Sequence, residues 1–316
     1  MDQYTGRIRE IARRLLQESK VDVVLGFQRG TLPMINQPIL INEPAQVRRL
    51  NWDSFCAGNL TTYLPRRRDR IALVVKGCDS RNVVLQILEN QIKREQLYLI
   101  GAPCHGMVDR RLVLAALNGR EPMEVTVTNG QLRAKGDDFI EVLPRDDYLQ
   151  ENCSICTHRN PVLYDELIGD PLVGHGQVDR YADIRALEVM SEDERWHHFH
   201  ELLAPCIRCY ACRNACPMCY CPVCFVDESM PQWLGKSIDP TDTKTFHFLR
   251  AYHLAGRCTD CGNCERACPM SIKIRLLTKK LEKDIAELYG YEAGLSLDQR
   301  PPLDTYRPDD PQEFIR

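Results

Sequence analysis

Apolar positions along the first half of the chain keep two rhythms. Over 4–19, Ile8, Ile11, Leu15 and Leu16 recur at the three- and four-residue spacing of one helix face. A short apolar run over 21–27 reads as a strand. The segment 71–76 is an apolar strand that closes at Gly77, and 80–91 has the pattern of a helix. A second buried strand is predicted over 97–101, with a helix over 109–117. Strands alternating with helices imply parallel pairing, hence an α/β domain on a parallel-rich sheet. Over 123–134 apolar positions alternate around Asn129-Gly130, the signature of a hairpin.

The second half is mostly helical in pattern. Leu187, Met190, Trp196, Phe199 and Leu203 can share one side of a helix over 184–203. Further helices are predicted over 245–255 and 271–290, the last with a stripe of Ile274, Leu277, Leu281, Ile285 and Leu288. Beyond Tyr291, the prolines at 301, 302, 308 and 311 predict an extended tail.

Composition narrows the class. A chain of 316 residues suggests about two domains. With 44% hydrophobic and 27% charged residues it has the make-up of a globular protein. A formal charge of −3 gives no basic field for nucleic acid, so none is expected as a partner. No apolar run approaches the roughly 18 residues of a membrane span. The charged segment 1–20 lacks the apolar centre of a signal peptide, which points to the cytoplasm. In that reducing compartment, 16 cysteines mean metal or redox chemistry rather than disulfides. Eleven of them fall between Cys206 and Cys268, and this shift in density places a boundary within 175–190. The predicted organisation is an α/β domain over 1–178, a helical domain over 179–290 and the tail over 291–316.

Two runs carry the strongest signal. The first is Cys206-x2-Cys209-x2-Cys212-x3-Cys216-Pro217, and the second is Cys258-x2-Cys261-x2-Cys264-x3-Cys268-Pro269. Three thiolates at this spacing wrap three corners of a [4Fe–4S] cubane, and the fourth cysteine ligates the other cluster. One cluster is therefore assigned to Cys206, Cys209, Cys212 and Cys268, and its partner to Cys258, Cys261, Cys264 and Cys216. Zinc is the alternative for Cys-x2-Cys, but a tetrahedral site wants two such pairs rather than three cysteines in seven residues. About 41 residues separate the runs. With that spacing the region 185–290 resembles the α-helical dicluster ferredoxins, such as the small iron–sulfur subunit of heterodisulfide reductases. The resemblance implies a helical domain that relays electrons between partners. Cys219, Cys221 and Cys224 lie between the runs and either hold another cluster or, more simply, pack near one.

The first half carries a second constellation. Gly77-Cys78-Asp79-Ser80-Arg81 stands where a strand gives way to a helix, and Gly101-Ala102-Pro103-Cys104-His105-Gly106 ends the next strand. In open α/β sheets such strand ends form the ligand crevice. Gly77, Asp79, Ser80 and Arg81 are thus candidates for a flavin or anion site at a helix start, the alternative being a well-capped helix without a ligand. Cys153-x2-Cys156 follows, ahead of Gly169-Asp170. This combination, over about 20–175, resembles the coenzyme F-420 hydrogenase/dehydrogenase beta-subunit family. The resemblance implies a third [4Fe–4S] cluster on Cys104, Cys153 and Cys156, with Cys78 or Cys56 as the last ligand. Zinc or free thiols are the alternative. It also implies FAD, but flavin-binding members carry a Ser-Gly-Gly segment. The nearest equivalent here, Cys56-Ala57-Gly58-Asn59-Leu60-Thr61-Thr62, lacks the paired glycines.

Other features say less. His197, His198 and His200 do not share a helix face. Gly26-x3-Gly30 and Gly174-x-Gly176 are incomplete as dinucleotide fingerprints and read as turns. Lys273, Arg275, Lys279, Lys280 and Lys283 would give the last helix a basic side, open to water or to an acidic partner. No serine–histidine constellation or phosphate loop indicates hydrolysis, and no catalytic residue is assigned. The expected role is an iron–sulfur electron-transfer subunit of an anaerobic oxidoreductase complex of formate dehydrogenase, hydrogenase or heterodisulfide reductase type. Its partners would be the other subunits, one of which would hold the catalytic centre. The rivals are a flavin-dependent oxidoreductase exchanging hydride with deazaflavin or nicotinamide, and an iron–sulfur redox sensor.

Overall fold

Of the run 71–76, Ile71–Val75 becomes a strand buried along its whole length, as a strand covered on both faces must be. In the computed structural model, which describes residues 2–174 and 178–304, this strand sits at the centre of a mixed sheet. Helix α1 (Asp2–Gln17) precedes β1 (Val23–Arg29), β2 (Asn36–Ile41) and the central β3 (Ile71–Val75). Helix α2 (Gly77–Leu88), β4 (Leu97–Gly101), α3 (Arg110–Ala116) and the strands β5 (Glu124–Thr128), β6 (Gln131–Lys135) and β7 (Ile140–Pro144) follow. A short α4 (Glu151–Ser154) and β8 (Glu166–Leu167) complete the first half. The sheet order is β2-β1-β3-β4-β8, with β1, β3, β4 and β8 parallel in register Val23↔Ile71, Ile71↔Leu97 and Ile100↔Glu166.

The edge strand β2 runs antiparallel to β1 and was not legible in the sequence. It contains Pro38, which lacks a ladder donor and is tolerated at an edge. The helix face predicted over 4–19 is buried through Ile8, Ile11, Ala12 and Leu15. The predicted hairpin is the β5–β6 pair, extended by β7 into a three-stranded meander. Its inward residues Leu132 and Ala134 pack with Val113, Leu117, Phe55 and Leu149.

By packing, the chain falls into two units. The first comprises Met1–Leu60, Arg66–Ser80 and Asn90–Val178, and the second Thr61–Pro65, Arg81–Glu89 and Asp179–Arg316. The second unit holds α5 (Ala182–Glu188), α6 (Glu192–Leu203), α7 (Ala211–Asn214), α8 (Pro240–His253), α9 (Asn263–Arg266) and α10 (Arg275–Tyr289). The single helix expected over 184–203 is two helices. Ser191 caps α6 with its hydroxyl, which accepts from the Glu194 amide, while the Glu194 carboxylate accepts from the Ser191 amide. That reciprocal box starts a new helix instead of continuing the old one.

Two further expectations are corrected. Most of the basic side predicted for the last helix is turned inward rather than to solvent or a partner, although Lys273, ahead of α10, is exposed. Arg275, Lys279 and Lys283 are buried, at 3%, 2% and 7% exposure, and pair with acids of the same unit. Arg275 meets Asp260 and Glu265, Lys279 meets Asp183, and Lys283 meets Glu188 and Glu287. Lys280 pairs with Glu188 and Asp284. Residues 291–304 make turns and a short helical turn at Pro302–Asp304, with Tyr291 and Ala293 buried, where an extended tail was expected. Residues 305–316, with Pro308 and Pro311, and Gly176 lie outside the described residues.

Candidate iron–sulfur centres

Each cysteine run folds into the same backbone turn. After the first cysteine, Arg208 and Tyr210 take positive φ of 50° and 59°, and the equivalent Asp260 and Gly262 take 53° and 71°. Left-handed backbone is uncommon for residues other than glycine, so its recurrence in both runs is a built feature of the loops. A one-turn helix follows in each case, α7 bearing Cys212 and α9 bearing Cys264.

Thiolates repel one another at short range, so mutual elevation of thiol pKa identifies neighbours. Burial raises Cys212, the charge of Arg250 opposes it, and Cys206 and Cys268 raise it further. Cys206 is likewise raised by burial and by Cys268 and Cys209. The first proposed set is thus brought together from both runs. Burial pushes Cys264 up to about 12, with Cys216 and Cys261 adding to it. Cys258 stands well above an ordinary thiol through burial, then Glu282 and Asp260, then Cys261. Cys216, Cys258, Cys261 and Cys264 all line one cavity. The second proposed set therefore also gathers, with its fourth member from the other run.

The surroundings suit anionic sulfur. Backbone amides of Arg208 and Ile272 point at the sulfurs of Cys206 and Cys268, at 3.4 and 3.5 Å. His247 on α8, 3% exposed, lies with Nε2 3.3 Å from Cys206 Sγ. Burial lowers its pKa to about 4, with Arg250 and Arg208 adding to the effect, so the ring is neutral. Neither His247 nor Arg250 was singled out from sequence. The available signal was a histidine and an arginine three apart on the helix leading into the second run.

Cys219, Cys221 and Cys224 line a separate cavity of about 250 Å³ with Arg213, Arg250, Arg257 and His253. The Cys219 thiol is held below the usual value, first by its hydrogen bond with Cys216 and, against burial, by Arg250 and Arg257. Among the described residues, no three His, Cys, Asp or Glu side chains are placed to hold a single metal ion. Cys216, Cys258, Cys261 and Cys264 line one cavity together instead, and Cys219, Cys221 and Cys224 line another. Soft thiol donors in fours, amides aimed at sulfur and nearby guanidinium groups fit [4Fe–4S] clusters.

In the first unit, Cys104, Cys153 and Cys156 are neighbours. Cys104 is pushed up to about 12 by burial and then by Cys153, with Cys156 contributing and Lys76 opposing. The Cys104 amide donates to Arg159 O at 2.9 Å, and Arg145 donates to His105 O and Gly106 O, which pins the turn. Gly77 approaches His158 so closely that a Cβ would lie 2.0 Å from the His158 carbonyl oxygen. Lys76, two residues before Cys78, feels the charge of both Cys78 and Cys104. Cys56 is fully buried in a loop of its own, where Asn36 Nδ2 and the Asp53 amide approach its sulfur at 3.2 and 3.4 Å.

The predicted flavin or anion residues are turned inward. Asp79 pairs with Lys76 Nζ at 2.8 Å, both side chains buried. Ser80 Oγ donates to Gly77 O at 2.8 Å and accepts from the Val162 amide at 2.9 Å. Arg81, in the second unit, donates through Nε to Ala293 O at 2.8 Å and pairs with Glu292 at 3.2 Å. Lys76 was missed in the sequence because it ends an otherwise apolar strand. Burial works against its charge, yet Asp79, Cys78 and Cys104 hold its pKa above the usual lysine value.

Residues 205–273 match the family model of the 4Fe-4S dicluster domain. The chain is 24% identical to the F420-dependent formate dehydrogenase subunit beta of Methanocaldococcus jannaschii, covering 94% of this chain and 93% of the relative. The chain is a relative of these beta subunits. The F420-dependent formate dehydrogenase 1 subunit beta of Methanococcus maripaludis is 23% identical, over 94% of this chain and 92% of its own length. Among solved structures, a chain of the F420-reducing [NiFe] hydrogenase complex from Methanosarcina barkeri matches 48% of this chain and 58% of its own length. That match has 12% identity and a TM-score of 0.38. Among the described residues, no helix is long and apolar enough to cross a membrane.

Proposed function

We propose that this chain is the iron–sulfur electron-transfer subunit of an anaerobic oxidoreductase complex of the formate dehydrogenase type. The observation that carries the reading is the exchange of fourth cysteines. Cys268 lies with the first run and Cys216 with the second, in a chain similar end to end to formate dehydrogenase beta subunits. Cys206, Cys209, Cys212 and Cys268 would hold one cluster, and Cys258, Cys261, Cys264 and Cys216 the other. Cys104, Cys153, Cys156 and Cys78 would hold a third. Cys78 is favoured over Cys56 because Cys56 is enclosed by Asn36, Asn51 and Asp53. A bound [4Fe–4S] cluster supplies one-electron chemistry. The residues of the chain position the sulfurs, offset their charge and keep water away, and the substrate chemistry belongs to partner subunits.

The test is metal and flavin content of protein purified without oxygen. Two clusters give about eight iron atoms per chain, and the third adds about four. Substituting Cys104→Ser should remove the third increment and leave the other two electron-paramagnetic signals. Zinc in place of iron would overturn the reading. Stoichiometric FAD would make the chain a flavoenzyme exchanging hydride, whereas iron without flavin leaves a relay between partners.

A further inference from the structure

Helix α8 carries a buried cation, Arg250, with no carboxylate partner among the described residues. Arg250 is 4% exposed, and its Nη2 donates to Cys212 O at 3.2 Å. Its Nε is buried with no hydrogen-bond partner, and it forms no ion pair with a carboxylate among the described residues. Two neighbouring arginines show what a satisfied guanidinium looks like here. Arg275 is held by Asp260 and Glu265, and Arg257 by Glu89 at 2.7 and 2.5 Å. A guanidinium removed from water without an anion is strongly disfavoured, so the fold must place negative charge beside Arg250.

The groups around it are thiols from both sets. Cys212 belongs to the first, and Cys216 and Cys264 to the second, with Cys219 alongside. Arg250 also lines both the cavity of the second set and the neighbouring cavity of Cys219 and Cys224. Four thiolates leave a [4Fe–4S] cluster net negative in either oxidation level, and reduction adds one more negative charge. A fixed cation in a site shielded from water stabilises the reduced level more than the oxidised one, and so raises the potential.

We propose that Arg250 is the shared counter-charge of the two four-cysteine sites, a positioning residue that holds both reduction potentials up. The inference rests on the cluster reading above. Its chemistry is electrostatic: Arg250 ligates nothing and passes no proton.

The test uses the full chain, purified anaerobically, as wild type, Arg250→Gln and Arg250→Lys. Iron per chain is measured first, then the midpoint potentials, by redox titration followed by electron paramagnetic resonance. Arg250→Gln should retain iron and shift both midpoints downward by at least a tenfold weakening of electron uptake, about 59 mV for a one-electron couple. Arg250→Lys should restore most of that shift, because it restores the charge and not the shape. Loss of iron in the glutamine variant with retention in the lysine variant also supports the role, since charge alone separates them. Unchanged potentials in an iron-replete glutamine variant would overturn the proposal while leaving the cluster reading standing. So would loss of iron from both variants, which would make Arg250 a packing residue. Wild-type protein without iron–sulfur signals would overturn both together.

Discussion

Cys56 is the cysteine whose surroundings separate it most clearly from the rest. Burial pushes its thiol from 9.0 to about 12, with Asp53 adding to the rise. A group whose pKa is higher folded than unfolded contributes stability that is intact below the unfolded value and lost as pH rises through the folded one. For Cys56 that window runs from about 9 to about 12. Native protein treated with iodoacetamide at pH 8 should therefore leave Cys56 unmodified, as peptide mass mapping would read. Unfolding in urea should expose it. The sequence ranked Cys56 and Cys78 equally because spacing carries no information on enclosure. The enclosure of Cys56 by Asn36, Asn51 and Asp53 distinguishes them, and Asn36 comes from 20 residues away. The two ferredoxin runs were legible for the opposite reason: all but one ligand of each set lies within seven residues, so spacing is geometry.

Among the elements, the sequence marked those whose stability is local or whose pattern is unbroken. The strand over 97–101 is β4 with the same limits, because a strand buried at every position but Tyr98 keeps an almost unbroken apolar run. The division of 184–203 was hidden because apolar positions continue on both sides of Ser191, and the signal was a polar Ser-x-x-Glu box. Ser191→Ala should cost about 1 kcal/mol of stability, measured by chemical denaturation of the iron-loaded chain. A larger penalty attaches to α10. Arg275→Met removes the buried guanidinium with which the partly buried carboxylates of Asp260 and Glu265 pair, and should destabilise by about 3 kcal/mol in the same measurement. At the start of α2, Gly77→Ala would drive a methyl group into the His158 carbonyl, a backbone atom that has no rotamer to yield. The expected result is loss of the iron assigned to Cys104, Cys153 and Cys156, about four atoms per chain, with the dicluster signals intact.

Over the whole molecule, cysteine density placed a boundary within 175–190 and gave no sign of the two short segments, Thr61–Pro65 and Arg81–Glu89, that pack with the later residues. Leu85 packs with Met218 and Leu254, Gln86 donates to Pro217 O at 2.8 Å, and Glu89 pairs with Arg257. Partners more than a hundred residues apart leave no periodic trace. A fragment beginning at Asp179 lacks these groups, exposes Met218 beside Cys216 and Cys219, and should hold less iron than the full chain. Iron per polypeptide, with both proteins expressed side by side, measures the difference.

The acids that neutralise α10 have an evolutionary consequence. Lys279 answers to Asp183, Lys283 to Glu188 and Arg275 to Asp260, each across a stretch of chain that drifts independently. Losing Asp183 leaves the buried Lys279 without its acid, and losing Glu188 or Asp260 leaves Lys283 or Arg275 with one acid where it had two. The members of each pair should therefore be gained, reversed or replaced by apolar residues together. An alignment of many descendants should show covariation at 183 with 279, at 188 with 283 and at 260 with 275, while the solvent-exposed charges of α1 wander singly.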